Sequence, residues 1–284
     1  MDDTTYLITG ATGQLGQALQ AQYPNARAVS AAELDITNIK ALESFDWSKV
    51  RVILNGAAYT NVDGAETTEG RKAAWQVNAL GTANLAKIAT THDITLLHVS
   101  TDYVFDGIQN IHAETEAFTP LSVYGASKCA GDIAATLTAK NYILRTSWVI
   151  GEGKNFVRTM ISLGQKNINP VVVADQIGRL TFTVELVRAI DHLLSTQAPF
   201  GTYNVSNSGD SVSWADITRI IFKEAGFKQL TVTDTTTAEY FADKEGIAPR
   251  PLQSTLDLRK IQATGFVSTD WHDDLKEYIK KELS

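Results

Sequence analysis

Short apolar runs, many of them β-branched, recur along the first two thirds of the chain and alternate with segments of helical length. Because these runs are apolar at consecutive positions, they suit strands that are buried on both faces, as in a parallel sheet. The pattern predicts strands over residues 6–9, 28–30, 50–54, 95–99, 142–144 and 171–173. It predicts the intervening helices over residues 15–22, 39–45, 72–91 and 122–139.

This alternation of strand and helix is typical of a doubly wound, Rossmann-like α/β fold. After about Trp148 the rhythm loosens. There the pattern predicts helices over 183–195, 214–225 and 270–283, and strands over 201–205 and 230–232. We therefore predict a sheet domain over residues 1–147 and a smaller C-terminal lobe over 148–284, with about 170–200 returning to the first domain.

Composition and charge narrow the class of protein. The chain has 284 residues, a formal net charge of -7 and no run of clustered Lys and Arg, which argues against nucleic acid and anionic membranes as partners. No stretch approaches the roughly 18 apolar residues of a membrane span. With a single cysteine, Cys129, and the acidic start Met1-Asp2-Asp3, we expect a cytoplasmic protein. The five histidines show no ligand-like spacing, so we predict no metal site.

A glycine-rich turn follows the first predicted strand. Residues 9–16 read Thr-Gly-Ala-Thr-Gly-Gln-Leu-Gly, which spaces Gly10, Gly13 and Gly16 three apart where the first helix begins. Such glycines permit a tight turn, let the backbone approach a pyrophosphate, and let helix and strand pack closely. The helix N-terminus then offers free N–H groups to the phosphates. We predict a dinucleotide site for NADPH or NADH, and thus a dinucleotide-binding domain over residues 1–147.

The adenosine end of this site is less determined. Asp35 lies 19 residues beyond Gly16 and could meet the ribose or the adenine edge, or it could belong, with Thr37, to the start of a helix. Ser30 stands at the tip of the second predicted strand, where an acidic residue would repel a 2′-phosphate. The choice between NADH and NADPH therefore stays open.

Tyr124 and Lys128 are four residues apart on a predicted helix and therefore share one face. Reduction of a ketone needs a proton for the oxygen, and we expect the lysine ammonium to lower the pKa of the tyrosine toward neutrality. A second hydroxyl could orient the carbonyl. Thr101, at the end of the fourth strand, is the candidate. Ser100 points to the opposite face, so only one of the two can serve.

Several longer motifs resemble the dTDP-4-dehydrorhamnose reductase family, within the extended short-chain dehydrogenase/reductases. The glycine turn and Tyr124-x-x-x-Lys128 match the superfamily. The narrower resemblance lies in residues 55–63 (Asn-Gly-Ala-Ala-Tyr-Thr-Asn-Val-Asp), 100–107 (Ser-Thr-Asp-Tyr-Val-Phe-Asp-Gly), 145–149, 155–156, 175–178 and 250–257. One departure is Arg179-Leu180-Thr181, where the family usually has proline before the threonine.

The resemblance implies NAD(P)H-dependent reduction of the C4 ketone of dTDP-4-keto-L-rhamnose to dTDP-L-rhamnose, for cell-surface polysaccharide biosynthesis. It implies that Thr101, Tyr124 and Lys128 are catalytic. The resemblance, together with the glycine turn and the strand tip described above, predicts the cofactor contacts. They are Gly10, Gly13, Gln14, Leu15, Gly16, Ser30, Asp35, Ile36, Ala57, Ala58, Tyr59, Tyr124 and Lys128. The implied contacts to a nucleotide-sugar substrate are Thr101 and Asp102 in the first domain and Trp148, Asn155 and Arg250 in the C-terminal, substrate-binding lobe.

Two alternatives stay open. The chain could be another nucleotide-sugar reductase or an epimerase, or a regulatory subunit that keeps the fold and cofactor without catalysis. The motifs leave the oligomeric state open between monomer and homodimer.

Overall fold

The central strands alternate their side chains between two buried faces. Leu7, Ile53 and Leu96 face one helical layer, while their neighbours Ile8, Leu54 and Leu97 face the other. This explains why the strands are apolar at consecutive positions. The computed structural model describes residues 2–284; Met1, the first residue of the predicted first domain, lies outside them.

The helices and strands of the described chain are as follows. The strands are β1 (Tyr6–Thr9), β2 (Arg27–Val29), β3 (Val52–Asn55), β4 (Thr95–Thr101), β5 (Asn141–Thr146), β6 (Val149–Ile150), β7 (Val171–Val173), β8 (Ile177–Gly178), β9 (Thr181–Phe182), β10 (Gly201–Asn204), β11 (Val212–Ser213) and β12 (Thr233–Thr235). The α-helices are α1 (Gln14–Gln22), α2 (Ile39–Ser44), α3 (Thr68–Ala74), α4 (Thr82–Thr91), α5 (Val123–Ala135), α6 (Phe156–Gln165), α7 (Thr183–Ser195), α8 (Trp214–Glu224), α9 (Thr237–Phe241), α10 (Arg259–Gln262) and α11 (Trp271–Leu283).

The main sheet has the strand order β2-β1-β3-β4-β5-β10, and its strands are parallel. The order reverses between β1 and β3, and ligands of doubly wound sheets bind beyond the carboxyl ends of the strands at such a point. Helices α1 and α7 cover one face of the sheet, whereas α2 and α4 cover the other. The predicted doubly wound α/β fold is confirmed.

A separate hydrophobic core lies in the C-terminal part. Helices α6, α8 and α11 pack their apolar faces together with short strands, around Met160, Ile221 and Trp271. Helix α7, strand β10 and helix α10 instead contribute to the core of the main sheet, while Val172 of β7 lies in the lobe core. The domain limits given above stay a prediction. In this packing, side chains between residues 186 and 205 and between residues 258 and 266 contribute to the core of the main sheet.

Some predicted elements are corrected by the structure. Residues 171–173 form a strand, but it pairs only with β12 and lies outside the main sheet. That partner is Thr233–Thr235 and not 230–232. Helix α6 was not predicted. The predicted helix 72–91 begins at Thr68 and widens into a π-helical segment over Trp75–Gly81, and the helix predicted to reach residue 139 ends at Ala135.

Candidate active site

A cleft of about 930 Å³ runs along the carboxyl edge of the sheet, across the point where the strand order reverses, to the C-terminal lobe. Most of the predicted site residues line it, although they come from distant parts of the chain. They are Gly10, Gly13, Gln14, Leu15, Asp35, Ile36, Ala57, Ala58, Tyr59, Thr101, Asp102, Tyr124, Lys128 and Trp148. Gly16, Ser30, Asn155 and Arg250 are not among the lining residues.

The glycine turn forms a cradle at one end of the cleft. Gly10 has φ +72°, which an L side chain rarely adopts, and a Cβ on Gly16 would lie 2.1 Å from the carbonyl oxygen of Gly10. Gly16 therefore allows helix α1 to pack closely against the turn. Gly13 precedes α1 and has no side chain to cap it, so the first N–H groups of the helix face the cleft. These residues fit a pyrophosphate.

Ser30, at the tip of β2, was predicted to contact the cofactor, but the structure gives its side chain a different partner. Ser30 donates both its backbone N–H and its hydroxyl to one carboxylate oxygen of Glu33, each at 2.8 Å. These hydrogen bonds lower the pKa of Glu33, so its carboxylate stays negative. Ser30 is thus occupied and does not reach the cleft. Asp35 does line the cleft, and its carboxylate accepts the N–H and hydroxyl of Thr37. Helix α2 is instead capped by Asn38, so Asp35 belongs to the turn before the helix and does not cap it.

Thr101, Tyr124 and Lys128 converge at the middle of the cleft. The side chain of Thr101 lies close enough to the Tyr124 phenol to affect its pKa, and the Thr101 hydroxyl donates to a carboxylate oxygen of Asp102 at 3.1 Å. Lys128 donates to the carbonyl of Val99 at 2.7 Å and is almost fully buried. Between the two hydroxyl candidates on β4, Thr101 is the one that contacts Tyr124.

Burial shifts the protonation of this group. It raises the pKa of Tyr124, an effect that the nearby side chain of Thr101 only partly offsets. Burial also lowers the pKa of Lys128 to about 8. The pKa of Tyr124 is therefore raised and not lowered toward neutrality, because desolvation of the phenolate dominates and the charges of Asp102 and Asp132 act in the same direction. Tyr124 holds its proton at neutral pH, as a proton donor must.

A network of buried polar side chains lies next to the Lys128 amine. His98 lies 3.5 Å from the Lys128 amine, and burial and this neighbour lower the pKa of His98 well below its ordinary value. The amide of Asn55 accepts the N–H of Ala57 and therefore presents its own NH₂ to Nδ1 of His98, at 2.9 Å. This assigns the imidazole proton to Nε2. The sequence offered no local signal for this network.

A second buried residue, Asn78, holds the loop that follows β3. It lies in the π-helical segment, accepts the N–H of Tyr59 at 2.8 Å and donates to the Tyr59 carbonyl and to Ser127. The amide thereby fixes the backbone that lines the cleft between the glycine turn and Tyr124. Wide helical turns of this kind often occur at functional sites. Sequence analysis missed Asn78 because its partners are distant in the chain.

The end of the cleft near the C-terminal lobe is lined by Asp102 and two tryptophans. Asp102 is buried, which raises the pKa of its carboxyl to about 6. Trp148 stacks on Trp214, a residue that sequence analysis missed, and both line the cleft. Leu180, at the position where the family usually has proline, is fully buried in the lobe core.

Two predicted substrate residues lie elsewhere. Asn155 caps helix α6 through the N–H of Arg158, and its amide also donates to the carbonyl of Gly151 and to Tyr278. Both polar atoms of the Asn155 side chain therefore make hydrogen bonds within the lobe. Arg250 pairs with Asp63 at 2.9 Å and with the carbonyl of Ala248. For both residues the structure corrects the expectation of a place in the cleft.

Across residues 2–284, no group of three or more His, Cys, Asp or Glu side chains is arranged to hold a metal ion. The same part of the chain contains no helix with the length and hydropathy needed to cross a bilayer.

Comparison with known proteins places the chain among reductases. The model of the family described as RmlD substrate binding domain matches residues 4–284. The dTDP-4-dehydrorhamnose reductase of Aggregatibacter actinomycetemcomitans is 42% identical, over 95% of this chain and 96% of that protein. The spore coat polysaccharide biosynthesis protein SpsK of Bacillus subtilis is 36% identical, over 99% of each chain.

A solved structure extends the similarity to the fold. The dTDP-4-dehydrorhamnose reductase of Bacillus anthracis, in complex with NADP, superposes with a TM-score of 0.88 at 36% identity, and 98% of each chain is covered.

The titration of Lys128 should appear in the pH dependence of stability. Burial lowers its pKa to about 8 from the ordinary 10.5, so between these pH values the unfolded chain keeps a proton that the folded protein has released. Its contribution to the free energy of unfolding therefore rises with pH in this window. We expect the free energy of unfolding of the wild type, minus that of Lys128→Met, to increase with pH across this window. Urea unfolding without nucleotide measures both values. A difference that is independent of pH would contradict the burial of a titrating amine.

Proposed function

This chain belongs to the dTDP-4-dehydrorhamnose reductase family, and we propose that it uses NADPH or NADH to reduce the C4 ketone of dTDP-4-keto-L-rhamnose to dTDP-L-rhamnose. The observation that carries the proposal is the convergence of Thr101, Tyr124 and Lys128 in a cleft that begins at the glycine turn. A cytoplasmic location, a role in polysaccharide biosynthesis, and a monomeric or homodimeric state belong to the same proposal.

The cofactor half of the cleft would hold the dinucleotide by shape and by backbone donors. The uncapped start of α1 would bind the pyrophosphate, while Asp35 and Ile36 would flank the adenosine and Ala57 to Tyr59 would border the nicotinamide. When bound, NADPH or NADH supplies a hydride to the carbonyl carbon. Lys128 uses one of its donors on Val99, which leaves the others for ribose hydroxyls.

The proton chemistry falls to Tyr124. As the C4 carbon gains the hydride, the electron pair of the C=O bond moves to oxygen, which takes the phenolic proton and becomes the new hydroxyl. The raised pKa keeps Tyr124 protonated until this demand arises, and an alkoxide is more basic than a phenolate. Thr101 orients the keto oxygen by a hydrogen bond, and solvent restores the Tyr124 proton after each turnover.

Removal of the phenolic hydroxyl should abolish most turnover without loss of cofactor. We expect Tyr124→Phe to lower kcat about 10²–10⁴-fold, the usual contribution of a general acid, with an unchanged Kd for NADPH. Steady-state rates with the keto-sugar and a cofactor titration measure the two effects. Tyr103→Phe is the control, since Tyr103 packs edge-on against Tyr124 and lines the same cleft. If Tyr124→Phe kept the parental rate, the proton role would be excluded.

The same assay, run with several nucleotide keto-sugars and both cofactors, separates the alternatives. Oxidation of NADPH with a different keto-sugar would indicate another reductase. Tightly retained NAD in the purified protein would indicate an epimerase, since an epimerase recycles its cofactor in place. If no keto-sugar supports oxidation, a regulatory subunit is favoured.

Glu33 should influence which cofactor is preferred. Its negative carboxylate is fixed on Ser30, next to Ala31, which lines the cleft, so it opposes a 2′-phosphate more than a 2′-hydroxyl. Because the carboxylate is exposed and screened, we expect Glu33→Gln to raise the NADPH-to-NADH ratio of kcat/KM by only about two- to fivefold. Glu43→Gln removes an exposed carboxylate from α2 and is the control. An unchanged ratio in Glu33→Gln would show that Glu33 does not act on the 2′ position.

A further inference from the structure

Trp148 and Trp214 form a stacked pair on the lobe side of the cleft. Their ring centroids are 3.8 Å apart and their planes are inclined by 20°. Phe156 packs on Trp214 at 4.3 Å between centroids. Trp214 therefore contacts both rings, and this aromatic cluster extends from the lobe core to the wall of the cleft.

The backbone of Trp148 is held in an unfavourable conformation. Its φ of +47° lies in the left-handed region, where a bulky side chain is a clear outlier. Such conformations persist only where the surrounding structure holds them, and they cluster at functional sites. One restraint is the carbonyl of Trp148, which accepts the N–H of Thr181 at 3.1 Å.

A second restraint is the space that Gly178 leaves for the indole. A Cβ on Gly178 would lie 2.9 Å from Cζ2 of Trp148, closer than real Cβ atoms approach a ring. Gly178 pairs with Val212 in the β8–β11 ladder. The next residues along the chain, Ser213 and Trp214, begin helix α8 with a capping box that fixes its start. The β8–β11 ladder thus positions both Gly178 and Trp214 next to the Trp148 ring.

We propose that Trp214 and Gly178 are positioning residues, which hold the Trp148 indole as a preformed wall against which the sugar of the substrate packs. The inference rests on the proposed function, because it places the sugar in this half of the cleft. A 6-deoxy sugar presents a methyl group and the C–H face of its ring, and these apolar surfaces suit an aromatic wall. Since the wall is formed before binding, no binding energy is lost in ordering it.

The test combines a structural signal with kinetics. Stacked indoles couple their transitions, so the pair should give a strong circular dichroism band without any ligand. We expect Trp214→Leu to remove this band and to raise the KM for the keto-sugar on the order of ten- to a hundredfold, with a smaller change in kcat and an unchanged Kd for NADPH. Trp214→Phe should restore most of the KM because a ring again supports Trp148.

Two further variants complete the design. Gly178→Ala should raise the KM in the same direction, although both tryptophans remain. Trp75→Leu removes a tryptophan that is 45% exposed on the π-helical segment and should change neither the band nor the KM.

The outcomes separate this proposal from the proposed function. If Trp214→Leu leaves the KM unchanged, with or without loss of the band, Trp214 does not position the wall and the proposal is wrong. If the KM rises equally in the Leu and Phe variants, Trp214 acts as a direct contact, which also overturns it. Should the wild type reduce no keto-sugar, the proposed function fails, whereas the dichroism band still reports on the stack.

Discussion

The hydrogen bond from Lys128 to the carbonyl of Val99 joins helix α5 to the end of strand β4, and the geometry of the site depends on this contact. Tyr124 lies one turn before Lys128 on α5, and Thr101 lies two residues beyond Val99 on β4. Helix and strand end can approach because residue 125 is glycine: a Cβ there would lie 2.3 Å from the carbonyl oxygen of Tyr103. The close packing therefore brings the phenol and the threonine side chain close together at the middle of the cleft.

The same packing sets the electrostatics. Removing Tyr124 and Lys128 from water favours the neutral form of each, so the phenol keeps its proton and the amine titrates nearer to neutrality. Asp132 and Arg145 compensate each other as a buried pair at 3.0 Å. The Nε2 atom of neutral His98 lies near both the Lys128 amine and the Asp132 carboxylate. Contacts within the protein thus hold these groups in place, as electrostatic preorganisation requires.

The features that could be predicted from the sequence are those that neighbouring residues determine. The strand, glycine turn and helix are consecutive, and the four-residue spacing of Tyr124 and Lys128 fixes their common face, so both features could be predicted. Ser30, Asn155 and Arg250 do not line the cleft, because a polar side chain takes the partner that the fold supplies. Those partners are Glu33, the lobe residues around Tyr278, and Asp63. His98, Asn78 and Trp214 were missed for the same reason. The lobe was hard to predict because several of its strands have only two residues, too few to show a period.

The central claim is that this cleft places a reduced nicotinamide next to the C4 carbonyl of a nucleotide sugar, with Tyr124 on its oxygen. The most direct test is transfer of label: the protein is incubated with dTDP-4-keto-L-rhamnose and with NADPH that carries deuterium at the transferable position, and the product is examined by NMR. The account predicts deuterium at C4 of the sugar, on the carbon that bears the new hydroxyl. A sugar without deuterium, or with deuterium at another carbon, would contradict it.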